Sequence, residues 1–288
     1  MLILRRYCLL LLVLAPLSVS VSAEAALRVV SSVNPLHLLL RDIGGDAVDA
    51  VLLQSPQFSP HDMQLRPSDM QLLKSADLIL WFGPALETNL RRPLRRYPQA
   101  VALFADAQSG RDDPHFWLDA GIVQDLARRL ARMLSEQLPS RSAYFHANAA
   151  RFVTALRQYD KQLVEQFSRV AGSPSYLLLH DGFARFEGHY GLTGGQALMS
   201  GDDRLPGARH LVELRRQLQR GDFACVFREP QYPGAMLRTL TEGVDVAVIE
   251  LDPMGLAADA DQGFLDLYRR LGDAFLNCFQ QSTDRSAA

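Results

Sequence analysis

The chain has 288 residues, 48% of them hydrophobic, with 30 Lys and Arg set against 32 Asp and Glu. A formal charge of −2 provides no basic field of the kind a nucleic-acid surface needs, so that class of partner is excluded. The composition is that of an ordinary globular protein, not of a disordered or a disulfide-dense one.

The first residues read as an export signal. Arg5 and Arg6 form a basic start, residues 8–17 are apolar apart from Pro16, and Ala23-Glu24-Ala25 fits a small-residue cleavage site. The apolar run is too short for a transmembrane helix. Two alternatives stay open: an uncleaved anchor, and a twin-arginine signal. Cys8 lies inside the apolar run, which argues against a lipid-anchored mature cysteine. Removing the leader leaves about 260 residues, enough for two domains of about 110–130 residues each.

The mature chain alternates short apolar runs with helical patterns. A strand is predicted over 27–32, a helix over 35–43 ending at Gly44-Gly45, and a second strand over 48–53. A loop carrying His61 follows, then a helix over 67–75 with Pro67 suited to its first turn. A buried strand over 77–82 stops at Gly83-Pro84, and 86–94 is helical. Strand and helix in alternation imply a parallel sheet covered by helices.

Residues 122–170 read differently. Their helical periodicity is punctuated only by Pro139-Ser140, and 141–169 contain neither Gly nor Pro. Phe145, Phe152, Leu156, Leu163 and Phe167 recur at helical spacing. A single helix there would be about 40 Å long, a rigid connector at 1.5 Å per residue; two helices with an unmarked break are the alternative. A second α/β half follows, with strands over 175–179, 225–227 and 246–251 and helices over 208–220, 237–242 and 264–278.

Three histidines lie at strand ends or in loops: His61 after Pro60, His115 in Asp113-Pro114-His115-Phe116-Trp117-Leu118-Asp119, and His180 in His180-Asp181-Gly182-Phe183. Asp252 follows the strand over 246–251. Ligands of open α/β sheets gather outside the carboxyl ends of the strands, and three imidazoles with one carboxylate suit tetrahedral zinc. Asp62, Asp119 and Asp181 are candidates to orient the imidazoles, because ligating histidines donate their second N–H to an acceptor. His37, His146, His189 and His210 read as structural or solvated.

Once the leader is gone, Cys225 and Cys278 remain. In an exported protein an even count reads as one disulfide. Closing a loop of about 50 residues would stabilise the chain by ~4 kcal/mol. A thiolate metal site is the competing reading.

These motifs, in this order, resemble the zinc- and manganese-binding solute-binding proteins of ABC importers, the ZnuA-like members of cluster A-I. The resemblance also rests on Asn34-Pro35-Leu36-His37, Arg66-Pro67-Ser68-Asp69, Arg204-Leu205-Pro206-Gly207, Phe227-Arg228-Glu229-Pro230 and Leu251-Asp252-Pro253. It implies an α/β fold of two Rossmann-like lobes with parallel sheets, joined by one long connecting helix, with a metal in the cleft. It implies a signal peptide over 1–25, an N-terminal lobe over 26–139, the connecting helix over 140–170 and a C-terminal lobe over 171–288. His61, His115 and His180 match the family's histidine ligands and Asp252 its acidic ligand. Glu229 falls in a family motif and reads as supporting the site or the fold.

The implied role is non-enzymatic: periplasmic capture of Zn2+ and delivery to a membrane permease. The chain is expected to be a monomer, with a periplasmic metallochaperone as a further candidate partner. Manganese transport and zinc hydrolysis are the alternatives. Three imidazoles to one carboxylate favour zinc over manganese, and a fourth protein ligand would close the position a hydrolase keeps open. The chain departs from many zinc members in lacking a His- and Asp-rich loop before the second motif, since 105–113 is short and has no His.

Overall fold

The computed structural model describes residues 25–53, 58–108, 112–170, 174–199, 206–256 and 262–287. Residues 1–24 of the expected leader, and Arg204 and Leu205 of one motif, lie outside them.

The first sheet contains β1 (Leu27–Ser31), β2 (Val48–Leu52), β3 (Leu78–Trp81) and β4 (Ala100–Ala102), all parallel, in the order β2-β1-β3-β4. β3, Leu-Ile-Leu-Trp, is buried at every position, as its unbroken apolar run requires of an inner parallel strand. α1 (Asn34–Gly44) and α2 (Pro67–Ser75) each begin with proline in the first turn. The helix expected over 86–94 is cut to α3 (Arg91–Leu94). The buried carboxylate of Glu87 accepts from the N–H of Phe82 (3.2 Å) and of Gly83 (2.8 Å), which pulls the preceding turn into a loop. Gly83 is required there: its φ is +136°, and a Cβ would lie 2.7 Å from the carbonyl oxygen of Phe104.

Residues 120–167 form two helices. α4 (Ala120–Gln137) and α5 (Ser142–Phe167) are separated by a short 3-10 turn over Pro139–Arg141. Pro139 ends the first helix because it has no N–H to continue the ladder. α5 is the long helix expected between the two halves.

The second sheet contains β5 (Tyr176–His180), β6 (Gly195–Met199), β7 (Cys225–Arg228) and β8 (Ala247–Glu250), again parallel, in the order β6-β5-β7-β8. α6 (Ala184–Tyr190), α7 (Ala208–Arg220), α8 (Ala235–Thr241) and α9 (Phe264–Ala287) complete this lobe. α6 and β6 are not foreseen in the sequence. β6 is an edge strand without a β-branched residue, and its order comes from backbone pairing to β5. Among the described residues no helix is long and apolar enough to cross a membrane.

One apolar cluster runs through both lobes, joining α1, α4, α5 and α9 to the inner faces of both sheets. Smaller clusters cover each sheet's other face. The lobes are also tied by polar contacts: the Trp117 indole donates to the Pro253 carbonyl (2.8 Å), the Asn34 amide to that of Met254 (2.8 Å) and the Tyr268 hydroxyl to that of Leu118 (3.2 Å). Cys225 of β7 and Cys278 of α9 are disulfide-bonded with Cα atoms 5.5 Å apart, both fully buried.

Candidate metal centre

His61, His115 and His180 come from three separate elements and meet between the lobes. His61 sits in a one-turn 3-10 helix over Pro60–Asp62, opened by the Ser59 hydroxyl accepting from the His61 N–H at 3.2 Å. His115 precedes the 3-10 turn over Phe116–Leu118. His180 is the last residue of β5, the carboxyl-end position expected of a ligand. Beside it, Gly182 leaves room for the imidazole: a Cβ at 182 would lie 2.1 Å from His180 Nε2.

The Nε2 atoms of His61 and His115 are 3.1 Å apart, and those of His115 and His180 are 3.4 Å apart. Two nitrogens bound tetrahedrally to zinc at ~2.0–2.1 Å would stand ~3.3–3.4 Å apart. Among the described residues, this is the group of three whose ligand atoms all lie within 4.8 Å of one another.

Two carboxylates set the tautomers. Asp113 Oδ1 accepts from His115 Nδ1 at 2.6 Å and from the His115 backbone N–H at 3.0 Å. Glu229 Oε1 accepts from His180 Nδ1 at 2.8 Å. With both Nδ1 atoms carrying protons, both Nε2 atoms turn lone pairs toward a common point, an arrangement that a cation relieves. Burial raises the Asp113 carboxyl, but its bonds from His115 and the nearby Arg185 charge outweigh that and hold it below the ordinary carboxylate range.

Sequence reasoning placed this orienting role on Asp62, Asp119 and Asp181. The structure places it on Asp113 and Glu229. Asp119 instead caps α4, accepting from the Ile122 N–H at 3.0 Å, while Asp62 and Asp181 are exposed. Asp113 was within reach of sequence logic, two residues before His115 in the same turn. Glu229 was offered as a supporting residue by the family resemblance alone, since it lies 49 residues from His180 and no local pattern pairs the two.

Asp252 follows β8 and stands outside the histidine group. Its Oδ1 accepts from Gln231 Nε2 at 2.9 Å and from the Met254 N–H at 3.1 Å. Gln231 nevertheless lines the same small pocket as His115, His180 and Glu229, as do Pro253 and Met254. Ser59, Gln231 and Tyr232 also border a cleft of about 710 Å³ between the lobes, which therefore adjoins the histidine pocket.

The remaining histidines are placed elsewhere. His37 is half-buried, with Nδ1 3.3 Å from the Ser31 hydroxyl, and desolvation, then the Arg41 charge, lowers its pKa to about 4. His146 and His210 are exposed. His189 lies between Asp160 and Asp119, at 2.7 and 3.6 Å.

Two parallel α/β lobes with imidazoles converging in the cleft between them define a bilobal metal-binding protein. Residues 29–278 match the family described as zinc-uptake complex component A, periplasmic, and the chain belongs to that family. It is similar to the high-affinity zinc uptake system protein ZnuA of Yersinia pestis, 29% identical over 89% of this chain and 92% of that one. The protein of the same name from Paracoccus denitrificans is 26% identical over 87% and 91%. Among solved structures, the laminin-binding protein of Streptococcus agalactiae superposes with a TM-score of 0.79 at 19% identity, covering 88% of this chain and 100% of that one. A ZnuA crystal structure gives 0.77 at 20% identity, covering 89% and 99%. At these identities the superpositions establish the shared fold.

Proposed function

We propose that this chain captures zinc in the periplasm and hands it to the membrane permease of an ABC importer. One observation carries the reading: three Nε2 atoms converge at tetrahedral spacing, two of them fixed as acceptors by Asp113 and Glu229. Imidazoles favour zinc over the harder manganese ion. Relatives over most of this chain's length bear the name of a high-affinity zinc uptake protein. The export signal over 1–25 and the disulfide fit an oxidising compartment outside the cytoplasm.

In this reading His61, His115 and His180 are ligands and Asp252 supplies the fourth. The Asp252 carboxylate exchanges its Gln231 bond for the ion and neutralises part of its charge. Four protein ligands leave no open position for a reacting water, so the site binds without catalysis. Residues 26–139 and 171–288 are the two lobes and 140–170 the connector.

The test is titration calorimetry of the mature, metal-free chain. One zinc per chain in the nanomolar range, with manganese far weaker, is the expected result. No zinc binding, or tighter manganese, overturns the assignment.

A further inference from the structure

Arg185 lies five residues after His180, on α6 of the second lobe. Its side chain reaches the loop that carries His115. Arg185 Nε donates to the Asp113 carbonyl at 2.6 Å, and its backbone N–H donates to Asp113 Oδ2 at 3.1 Å. The guanidinium covers the Phe116 ring at 4.3 Å from its centre. Asp113 is thus shared. One oxygen takes both His115 bonds and the other takes the bond from α6.

The consequence is a chain of contacts that begins and ends on metal-facing nitrogens. His180 continues through residues 181–183 into α6, α6 grips Asp113 through Arg185, and Asp113 orients His115. Residues 113 and 185 belong to different lobes and are 72 positions apart. Arg185 therefore fixes the spacing between two imidazoles without touching either. Arginine suits the task, because its planar fork donates in a fixed direction while its face stacks on an aromatic ring.

We infer that Arg185 is a positioning residue for metal capture: it acts through Asp113 to hold His115 and His180 as a preformed pair. The inference rests on the zinc reading above and concerns a residue that binds no metal itself. Preorganisation of this kind raises affinity by removing the cost of assembling the ligands when the ion arrives.

The experiment is a double-mutant cycle read by zinc calorimetry on the mature chain, using Arg185→Ala, Asp113→Ala and the double variant, with His115→Ala as reference. Arg185→Ala is expected to weaken zinc binding about tenfold. In the Asp113→Ala background the same change is expected to cost less than twofold, because the 113 carbonyl still accepts from Arg185 Nε but the carboxylate that passes its position on to the His115 ring is gone. Arg185→Lys keeps the charge but loses the Nε donor, and an intermediate loss of about threefold is expected; it also serves if the alanine variant folds poorly. The visible spectrum of the cobalt-loaded protein is expected to shift in the same way for Arg185→Ala and Asp113→Ala. Unchanged affinity in both Arg185 variants overturns the inference. So does a loss that simply adds to that of Asp113→Ala, since a purely structural role would behave in that way. If His115→Ala also keeps full affinity, the zinc site itself is wrong; if only His115→Ala loses affinity, the site stands and the role of Arg185 falls.

Discussion

Glu229 holds His180 from behind: its Oε1 lies 2.8 Å from the imidazole Nδ1, and the two residues are 1% and 4% exposed. The ring cannot turn without leaving a buried carboxylate unpaired, which is costly. Glu229→Ala is expected to weaken zinc binding by 10–100-fold, in line with the loss of other partners that orient metal ligands. Glu229→Gln keeps an acceptor for Nδ1 and should lose less. Equal losses for the two variants, measured by calorimetry, would show that charge rather than orientation is what Glu229 supplies.

Substituting His61, His115 or His180 by alanine removes one of three converging nitrogens. Each change is expected to weaken zinc binding at least tenfold, about 1.4 kcal/mol. Competition against a chromogenic chelator measures this, and unchanged affinity in all three variants rules out the site. Binding should also weaken as the solution is acidified, because protons compete with the ion for the ligating imidazole nitrogens.

Asp252 has a smaller expected effect. Its Oδ1 is already held by Gln231 and the Met254 N–H, and water can fill the position it leaves. Asp252→Ala should weaken zinc less than any histidine change, and Asp252→Asn should behave similarly. X-ray absorption of the zinc-loaded variant should show one protein oxygen replaced by solvent. A loss equal to that of a histidine would mean that water does not substitute.

His189 ties three elements together and gives stability a pH dependence. Its bond to Asp160 raises its pKa, burial opposes the rise, and the charges of Asp160 and Asp119 add to it. The folded pKa lies above the unfolded value of 6.5. The stabilisation is therefore fully present below pH 6.5 and is lost as pH rises through the folded value. Thermal melts from pH 6 to 8 should show the wild type losing Tm relative to His189→Gln as pH rises. Parallel curves for the two proteins would exclude the effect.

The Cys225–Cys278 bond fastens α9 to β7 within the shared core. The double serine variant should lose ~2–4 kcal/mol of stability while keeping its zinc affinity, since neither cysteine reaches the histidine group. Urea unfolding and calorimetry on the same preparation test both halves of that statement. A large fall in affinity would tie the bond to the site.

Much of this was legible in the chain. The apolar runs of β1 and β3, the prolines opening α1 and α2, and the Gly- and Pro-free stretch of α5 are local signals, and each stands where the pattern put it. The three histidines were recognisable because each occupies a motif at a strand end or loop. β6 and α6 were not legible: β6 has weak strand propensity and exists through its pairing with β5, and the bonds to the Glu87 carboxylate shortened the helix expected over 86–94.

By itself the sequence determined the alternation of strand and helix and the long connector, since these depend on periodicity and on residues near one another in the chain; His61, His115 and His180, 54 and 65 positions apart, were grouped through the order of their motifs and the family resemblance. Only the tertiary structure decided which carboxylates orient those imidazoles and that Arg185 joins the two ligand segments. Those contacts span 49 and 72 positions, and they exist because a shared apolar core packs the two lobes face to face, a relation that no local pattern encodes.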